Sequence, residues 1–250
     1  MNKKEWLTKC KRWKKKWPVY ISDYECDKNG INLYTFMEEL NKAMDVKLTI
    51  VCDAGSAIYV PCQNLKLKKK QVFILSGAQA DMGFAVPAAI GVSLADKTKT
   101  VAVITGDGSF NTNIQELAVI KNLNLPVIIF VWNNNGYLSI KNTQSKFYGG
   151  RVYGTDTKTG LWFPDLKKVA NTYEMSYFKL KTNSDLKKNI SCILSTTVPI
   201  ICEIICKEDQ QIVPTLMLKK DKITGKNIQP SLQDMYPFLS TEELEQEMIH

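Results

Sequence analysis

Short apolar runs alternate with amphipathic, helix-like segments from residue 31 onward. The candidate strands are 48–52, 72–75, 100–105, 126–132 and 199–206. The candidate helices are 33–44, 84–96, 111–122, 163–173 and 184–195, with Asn32 and Ser184 as candidate caps. Nearly continuous apolar strands are typical of sheets buried on both faces, and successive parallel strands need helical crossovers. The sequence therefore predicts an α/β fold, with a doubly wound, mainly parallel sheet flanked by helices.

Three segments interrupt this alternation, and two of them set the predicted domain limits. Residues 1–30 are basic and rich in tryptophan without a clear period, which predicts a linker or arm. Residues 212–250 contain three prolines and an acidic end, which predicts a C-terminal tail. The ligand-binding domain is then expected at 31–211. Within it, residues 137–162 are polar and glycine-rich, and a loop of this length in a compact domain is usually functional.

The chain carries 33 Lys and Arg against 25 Asp and Glu, for a net charge of +8. Much of the excess lies in residues 3–16 and 66–70. Trp6, Trp13 and Trp17 interleave with the first of these runs, an arrangement that a nucleic-acid-binding arm could use. A solvated linker whose tryptophans pack on a neighbour explains the same pattern, and we expect no nucleic-acid partner.

The only histidine is the last residue, His250. A histidine general base, a Ser-His-Asp or Cys-His nucleophile system and an imidazole zinc site all need an ordered imidazole. Chain ends rarely supply one. Hydrolase and zinc-dependent functions are therefore disfavoured.

The seven cysteines contain no CxxC pair and lie mostly within apolar runs. An odd number of cysteines in such surroundings is typical of buried, reduced thiols. The N-terminus shows no signal-peptide pattern, and the longest apolar runs are far shorter than the roughly 20 residues of a membrane-spanning helix. We expect a cytoplasmic protein without a membrane partner.

Polar and glycine residues follow two of the predicted strands directly. Gly106-Asp107-Gly108-Ser109 follows strand 100–105, and an asparagine run that includes Asn134 follows strand 126–132. In doubly wound sheets, ligands bind outside the carboxyl ends of the strands. The 27 residues between Asp107 and Asn134 fit one strand–helix–strand unit, so the two side chains are expected at neighbouring strand ends.

Asp107, Asn134 and a glycine carbonyl would supply the hard oxygen ligands that Mg²⁺ prefers. Glycines beside a helix start allow backbone amides to approach an anion, and the pair of features favours a diphosphate ligand bound with Mg²⁺. The sequence contains neither a Walker motif nor a GxGxxG motif after a strand. A P-loop nucleotide site and a Rossmann dinucleotide site are therefore disfavoured.

The run GDGSFNTNIQELAVIKNLNLPVIIFVWNNNGY resembles the signature of thiamine diphosphate enzymes. About residues 31–240 resemble the C-terminal diphosphate-binding domain of the acetolactate synthase and pyruvate decarboxylase superfamily. The segments Asp53-Ala54-Gly55-Ser56 and MGFAVPAAIG, which begins at Met82, resemble further motifs of that domain. The resemblance implies thiamine diphosphate and Mg²⁺ as cofactors and the fold already predicted.

The resemblance also implies residue roles. Asp107, Asn134 and the Gly136 carbonyl would hold Mg²⁺. The residues expected to contact the cofactor are Gly55, Ser56, Ala80, Met82, Asp107, Gly108, Ser109, Asn134, Gly136 and Tyr137. Met82 would impose the bent cofactor conformation, and the Ala80 carbonyl would accept a hydrogen bond from the 4′-amino group.

In the superfamily, the glutamate that activates the cofactor lies on a separate pyrimidine-binding domain. We expect no catalytic residue of that kind in this chain, whose residues 1–30 resemble the exit from a middle domain. A pyrimidine-binding domain or subunit, a homo- or hetero-oligomeric assembly and a small 2-oxo acid substrate are implied. The isolated chain is expected to be inactive or nearly so.

The resemblance leaves the reaction open. Where acetolactate synthases carry a tryptophan after the asparagine loop, this chain has Thr143-Gln144, which disfavours acetohydroxyacid synthesis. The expected function is a cofactor-binding domain of an acetolactate synthase-like transferase or lyase that forms or cleaves C–C bonds of 2-oxo acids. The alternative is a non-catalytic scaffold that retains only the fold and an association surface.

Overall fold

Six parallel strands form the main sheet in a computed structural model that describes residues 2–221 and 224–248. In chain order they are β1 (Leu48–Cys52), β2 (Val72–Leu75), β3 (Thr100–Gly106), β4 (Val127–Asn133), β5 (Ser176–Leu180) and β6 (Ile200–Ile205). Their spatial order is β2-β1-β3-β4-β6-β5, so the chain winds outward in two directions from β1 and β3. The predicted doubly wound α/β fold is confirmed.

Helices flank this sheet and provide the crossovers. They are α2 (Leu33–Ala43), α3 (Ser56–Asn64), α4 (Ala85–Ala95), α5 (Asp107–Thr112), α6 (Leu117–Asn122), α7 (Leu138–Phe147), α8 (Leu166–Thr172) and α9 (Asn183–Leu194). Every residue of β1 is buried, as are residues 101–104 of β3 and 127–132 of β4, which places these strands at the centre of the core. Asn32 caps α2 as predicted, because its side chain accepts a hydrogen bond from the Tyr34 amide.

Several local predictions were wrong. The segment 111–122 is not one helix, since α5 begins earlier, at Asp107, and a 3-10 turn separates it from α6. The cap of α9 is Thr182 rather than Ser184, because the Thr182 side chain accepts from the Asp185 amide in a capping box. The predicted loop 137–162 contains α7, and no run predicted β5 or α3.

Residue contacts divide the chain into two compact units, one of residues 20–210 and one of the described parts of 1–19 and 211–250. The second unit contains α1 (Lys3–Lys16), a short antiparallel pair β7 (Lys219–Lys220) and β8 (Asn227–Ile228), and α10 (Thr241–Glu247). The domain limits at 31 and 211 stay predictions. His250 lies outside the described residues.

Residues 1–30, predicted as a linker or arm, contain a helix that the sequence pattern did not indicate. Asn2 and Glu5 form a capping box at the start of α1, and helical spacing brings the Trp6 and Trp13 rings together edge to face, with centroids 5.7 Å apart. The Trp13 indole N–H donates to Glu247 of α10 at 2.7 Å. The period was missed because charged residues, which stay exposed, occupy most of the helix surface. None of the described helices has the length and apolar character needed to cross a membrane.

Candidate cofactor site

A cleft opens at the carboxyl ends of β1, β3 and β4, where the two winding directions of the sheet diverge. Nine of the ten residues predicted to contact a cofactor line it, namely Gly55, Ser56, Met82, Asp107, Gly108, Ser109, Asn134, Gly136 and Tyr137. Ala80 is not among the lining residues. It lies in the turn after β2, where its amide donates to the Ser76 carbonyl at 2.8 Å and its φ is +54°.

Asp107 is the buried carboxylate of the cleft, with 5% of its surface exposed. Its Oδ1 accepts from the Gly108 amide at 2.7 Å, and its Oδ2 accepts from the amides of Asn134 and Gly136 at 3.1 and 3.2 Å. Burial raises the pKa of Asp107 to about 7, although these backbone hydrogen bonds lower it. A cation beside the carboxylate would offset the cost of burying its charge.

The three consecutive asparagines after β4 have different surroundings. The Asn133 amide nitrogen donates to the buried Glu203 at 2.7 Å, and that of Asn135 donates to Glu208 at 2.7 Å. Only Asn134 of the three lines the cleft. Its backbone amide donates to Asp107, which places this residue beside that carboxylate. Because side chains alternate between the two faces along a strand, the middle asparagine is the one placed to contact a ligand in the cleft.

Asp53 is a buried carboxylate that accepts hydrogen bonds from three segments around the cleft. Only 2% of its surface is exposed. Its Oδ1 accepts from the amides of Ala54 and Gly83 at 2.8 and 2.9 Å, and its Oδ2 accepts from the Ala85 amide at 3.1 Å and the Thr105 hydroxyl at 3.2 Å. One carboxylate thus ties together the loop after β1, the segment after Met82 and the end of β3.

Three helices begin at the cleft. Residues from the first turns of α3, α5 and α7 line it. The chain enters α3 through Gly55, whose φ of +63° is a conformation that glycine adopts without strain. The amides of a first helical turn have no partner within their own helix, and the helix dipole makes this end positive. The arrangement favours an anionic ligand.

A loop at residues 154–161 holds the backbone after the asparagines. The Tyr137 amide donates to the Thr155 carbonyl at 2.8 Å, and Gly136 pairs with Asp156 in an antiparallel bridge. The Lys141 ammonium group lies 2.8 Å from Asp156 and lowers the pKa of that carboxyl to about 2, so the pair stays ionised at neutral pH. A Cβ on Gly136 would lie 2.2 Å from the Thr155 oxygen, so only glycine fits there.

Replacing Gly108 with alanine is expected to lower the free energy of unfolding by about 1–3 kcal/mol. The new Cβ would lie 2.0 Å from Cε1 of Tyr137 and force that ring out of place. Gly106 is the matched control, because its φ is −81° and no atom lies within 4 Å of a Cβ built on it. Thermal and urea unfolding of both variants measure the difference. In a Tyr137→Ala background the cost of Gly108→Ala should fall, and an unchanged cost would refute the steric explanation.

Sequence reasoning quoted Asp53 only as part of a motif and did not assign it a role. Its burial follows from its position directly after an apolar strand, but the donors that it satisfies lie about 30 and 50 residues away along the chain. Trp132 also lines the cleft and was not predicted as a site residue. A tryptophan within an apolar strand gives no local signal that distinguishes a ligand contact from core packing.

The donor set of the cleft suits a hard cation. Within residues 2–221 and 224–248, no group of three or more His, Cys, Asp or Glu side chains is arranged to hold a metal ion. One carboxylate, one amide oxygen and backbone carbonyls would therefore be the protein ligands. Mg²⁺ accepts such incomplete sets, because phosphate oxygens and water complete its octahedron.

Comparisons with known proteins agree with this geometry. Residues 53–204, more than half of the chain, match the family model of the thiamine pyrophosphate enzyme, C-terminal TPP binding domain. The chain is 29% identical over 213 residues to the acetolactate synthase large subunit of Cyanidium caldarium, covering 84% of this chain and 35% of that protein. It is 32% identical over 187 residues to the large subunit of Buchnera aphidicola subsp. Schizaphis graminum, covering 75% and 32%.

The chloroplastic acetolactate synthase of Arabidopsis thaliana is 30% identical over 181 residues, covering 71% of this chain and 27% of that protein. The chain thus spans about a third of the length of these relatives. The match includes the Asp53 loop, the Met82 segment, Asp107 and Asn134. The chain therefore belongs to the thiamine pyrophosphate enzyme family, as a C-terminal cofactor-binding domain of the acetolactate synthase and pyruvate decarboxylase superfamily.

Proposed function

We propose that this chain binds thiamine diphosphate together with Mg²⁺ and serves an acetolactate synthase-like enzyme that forms or cleaves C–C bonds of 2-oxo acids. The observation that carries the proposal is the buried Asp107 carboxylate. It lies beside Asn134 in a cleft where three helices begin. A carboxyl group beside positive helix ends is a site for a cation that bridges to an anion.

The residues present fit Mg²⁺. Asp107 and Asn134 would supply side-chain oxygens and Gly136 a carbonyl oxygen. The Asp107 carboxylate already accepts three backbone hydrogen bonds, so its orientation is set before any ion binds. A preorganised carboxylate of this kind loses little conformational entropy on binding.

The residues present also fit a diphosphate. Gly55 and Ser56 begin α3, and Gly108 and Ser109 lie in the first turn of α5. The amides of Gly55, Ser56 and Ser109 and the two hydroxyl groups would donate to phosphate oxygens, and Gly108, without a side chain, would allow the close approach. Ser109 is buried, with 6% of its surface exposed, which would shield such a hydrogen bond from water.

Met82 and Ala80 would act on the organic part of the cofactor. Met82 is 42% exposed although it lines the cleft, so its side chain offers apolar surface to a ligand. The left-handed conformation of Ala80, at φ +54°, is costly for a residue with a Cβ. Strain of this kind is found where a backbone group must point in a set direction, which supports the proposed hydrogen bond from the Ala80 carbonyl.

When bound, thiamine diphosphate supplies a nucleophilic carbon that can add to the carbonyl group of a 2-oxo acid. The residues of this chain would bind, orient and bend the cofactor and exclude water from its diphosphate. A glutamate on a pyrimidine-binding domain or subunit would supply the proton transfer that activates it. We therefore propose a homo- or hetero-oligomeric assembly, and a cytoplasmic location stays a prediction.

The substrate is proposed only as a small 2-oxo acid. Thr143-Gln144 occupies the segment in which acetolactate synthases carry a tryptophan. The Gln144 side chain accepts from the Tyr153 amide at 2.8 Å and donates to the Tyr153 carbonyl at 3.2 Å. The Thr143 hydroxyl donates to the Ser139 carbonyl at 3.0 Å. Neither side chain lines the cleft. These contacts support a pocket that differs from one built around a tryptophan.

Alanine substitution of two neighbouring asparagines, Asn134 and Asn135, tests the proposed site. Asn134→Ala is expected to weaken Mg²⁺-dependent binding of thiamine diphosphate about tenfold or more, because it removes a metal ligand. Asn135→Ala is the matched control, since that exposed side chain bonds to Glu208 outside the cleft, and its affinity should stay within about twofold of wild type. Isothermal titration calorimetry with and without Mg²⁺ measures both.

Two outcomes would contradict the proposal. Equal affinity for the cofactor in the Asn134 and Asn135 variants would show that the metal site does not lie at Asn134 in this cleft. A wild-type chain that fails to bind the cofactor with Mg²⁺, even when mixed with a pyrimidine-binding partner, would favour the non-catalytic scaffold.

A further inference from the structure

Trp132 combines burial, an unsatisfied donor and a place in the cofactor cleft. It lies on β4, two residues before Asn134, and only 3% of its surface is exposed. Its indole Nε1–H has no hydrogen-bond acceptor among the residues that the structure describes. The same residue lines the cleft.

Buried donors in native proteins nearly always have an acceptor. A donor that loses its hydrogen bond to water on burial and gains no other partner lowers the stability of the fold. The half-buried Trp13, for example, donates its indole N–H to Glu247. An exception is therefore informative. Unsatisfied donors are retained where a ligand or a bound water completes them.

The apolar surroundings explain why the chain itself offers Trp132 no acceptor. Leu33, Leu138 and Cys206 line the same cleft and are almost fully buried. The Phe36 ring packs edge to face on the indole, with centroids 5.4 Å apart. Packing on Phe36 thus holds the ring in place, and its N–H meets no acceptor among the described residues.

We propose that the Trp132 indole N–H is a ligand-binding donor of the cleft and donates to an anionic oxygen of the bound diphosphate group. This inference rests on the proposed function. Trp132 is the register partner of Gly106 on β3, the residue directly before Asp107, and Trp132 and Asp107 line the same cleft. The indole therefore lies close to the proposed metal ligand, where phosphate oxygens would bind.

A substitution of Trp132 with phenylalanine tests the inference. The variant keeps an aromatic ring against Phe36 and removes only the donor and part of the ring. We expect Mg²⁺-dependent affinity for inorganic pyrophosphate and for thiamine diphosphate to fall about tenfold, which corresponds to about 1.4 kcal/mol. Trp162→Phe is the matched control, because that ring is 78% exposed and lies outside the cleft, and its affinity should equal that of wild type.

A second measurement uses the unmodified chain. The chain has five tryptophans, so ¹⁵N-labelled protein gives five indole N–H signals in a heteronuclear NMR spectrum. Substitution of Trp6, Trp13, Trp17 and Trp162 assigns the Trp132 signal by elimination, even if the Trp132 variant does not fold. This signal should move downfield on addition of Mg²⁺ and pyrophosphate, and the Trp162 signal should not.

The outcomes separate this inference from the function on which it rests. Wild-type binding that depends on Asp107, together with unchanged affinity in Trp132→Phe, would overturn the inference and leave the function standing. A Trp132 indole signal that does not move on ligand binding would overturn it as well, because a bound water would then be the partner of the indole N–H. Failure of the wild-type chain to bind pyrophosphate with Mg²⁺ would overturn both.

Discussion

Replacing Asp107 with alanine is expected to weaken Mg²⁺-dependent binding of thiamine diphosphate at least about a hundredfold. The carboxylate is the only charged side chain among the proposed metal ligands, and its loss removes most of the electrostatic attraction for the ion. It also releases the amides of Gly108, Asn134 and Gly136, which shape the loop around the metal. Isothermal titration calorimetry at several Mg²⁺ concentrations measures the effect.

Two further variants make the Asp107 result interpretable. Asp107→Asn removes the charge and keeps one acceptor oxygen, but it directs an NH₂ group at a backbone amide, so it should be less stable than wild type and still bind the cofactor weakly. Asp23→Ala is the matched control, because Asp23 is exposed and distant from the cleft in sequence. If Asp107→Asn bound the cofactor with wild-type affinity, the charge of Asp107 would have no part in metal binding.

Replacing Asp53 with alanine is expected to lower the free energy of unfolding by about 3 kcal/mol or more. The substitution leaves the buried amides of Gly83 and Ala85 without their acceptor, and it removes one of the two acceptors of the Thr105 hydroxyl. Each unsatisfied buried donor costs about 1–3 kcal/mol, and partial relaxation prevents the costs from adding fully. Urea unfolding followed by circular dichroism measures the change.

Asp53→Asn removes the charge but keeps the size of the side chain, so it separates the effect of the charge from the effect of truncation. The asparagine keeps one acceptor oxygen but directs an NH₂ group at donors, so its cost should lie between wild type and alanine. Asp23→Asn is the control and should change stability by less than about 0.5 kcal/mol. An Asp53→Ala protein with wild-type stability would show that the three loops hold together without this carboxylate.

Strand prediction succeeded where burial on both faces left a clear signal. β1, β3, β4 and β6 are apolar along nearly their whole length and lie at or near the centre of the sheet. β5 lies at the edge, and four of its five residues are not fully buried, so its sequence is half polar. Edge strands carry this ambiguity because only part of their surface meets the core.

Helix prediction failed where local signals were weak or mixed. α3 contains Pro61 and lacks an amphipathic pattern, and α7 follows the asparagine loop and is mostly polar. The first turns of both helices line the cleft, and α3 also contacts α2, β1 and β3, so its formation depends on these neighbours. Local propensity alone is a weak predictor in such positions.

The amino-acid sequence by itself determined the parallel α/β sheet and the strand ends that carry Asp107 and Asn134, and it predicted Mg²⁺–diphosphate chemistry there. These features follow from short-range patterns, namely apolar runs, glycines at turns and one crossover interval. Only the tertiary structure decided that Asp53 joins three segments, that Asn134 rather than its neighbours lines the cleft, and that the Trp132 N–H lacks an acceptor among the described residues. Burial and hydrogen-bond satisfaction depend on residues far apart along the chain, so they exist only after the chain has folded.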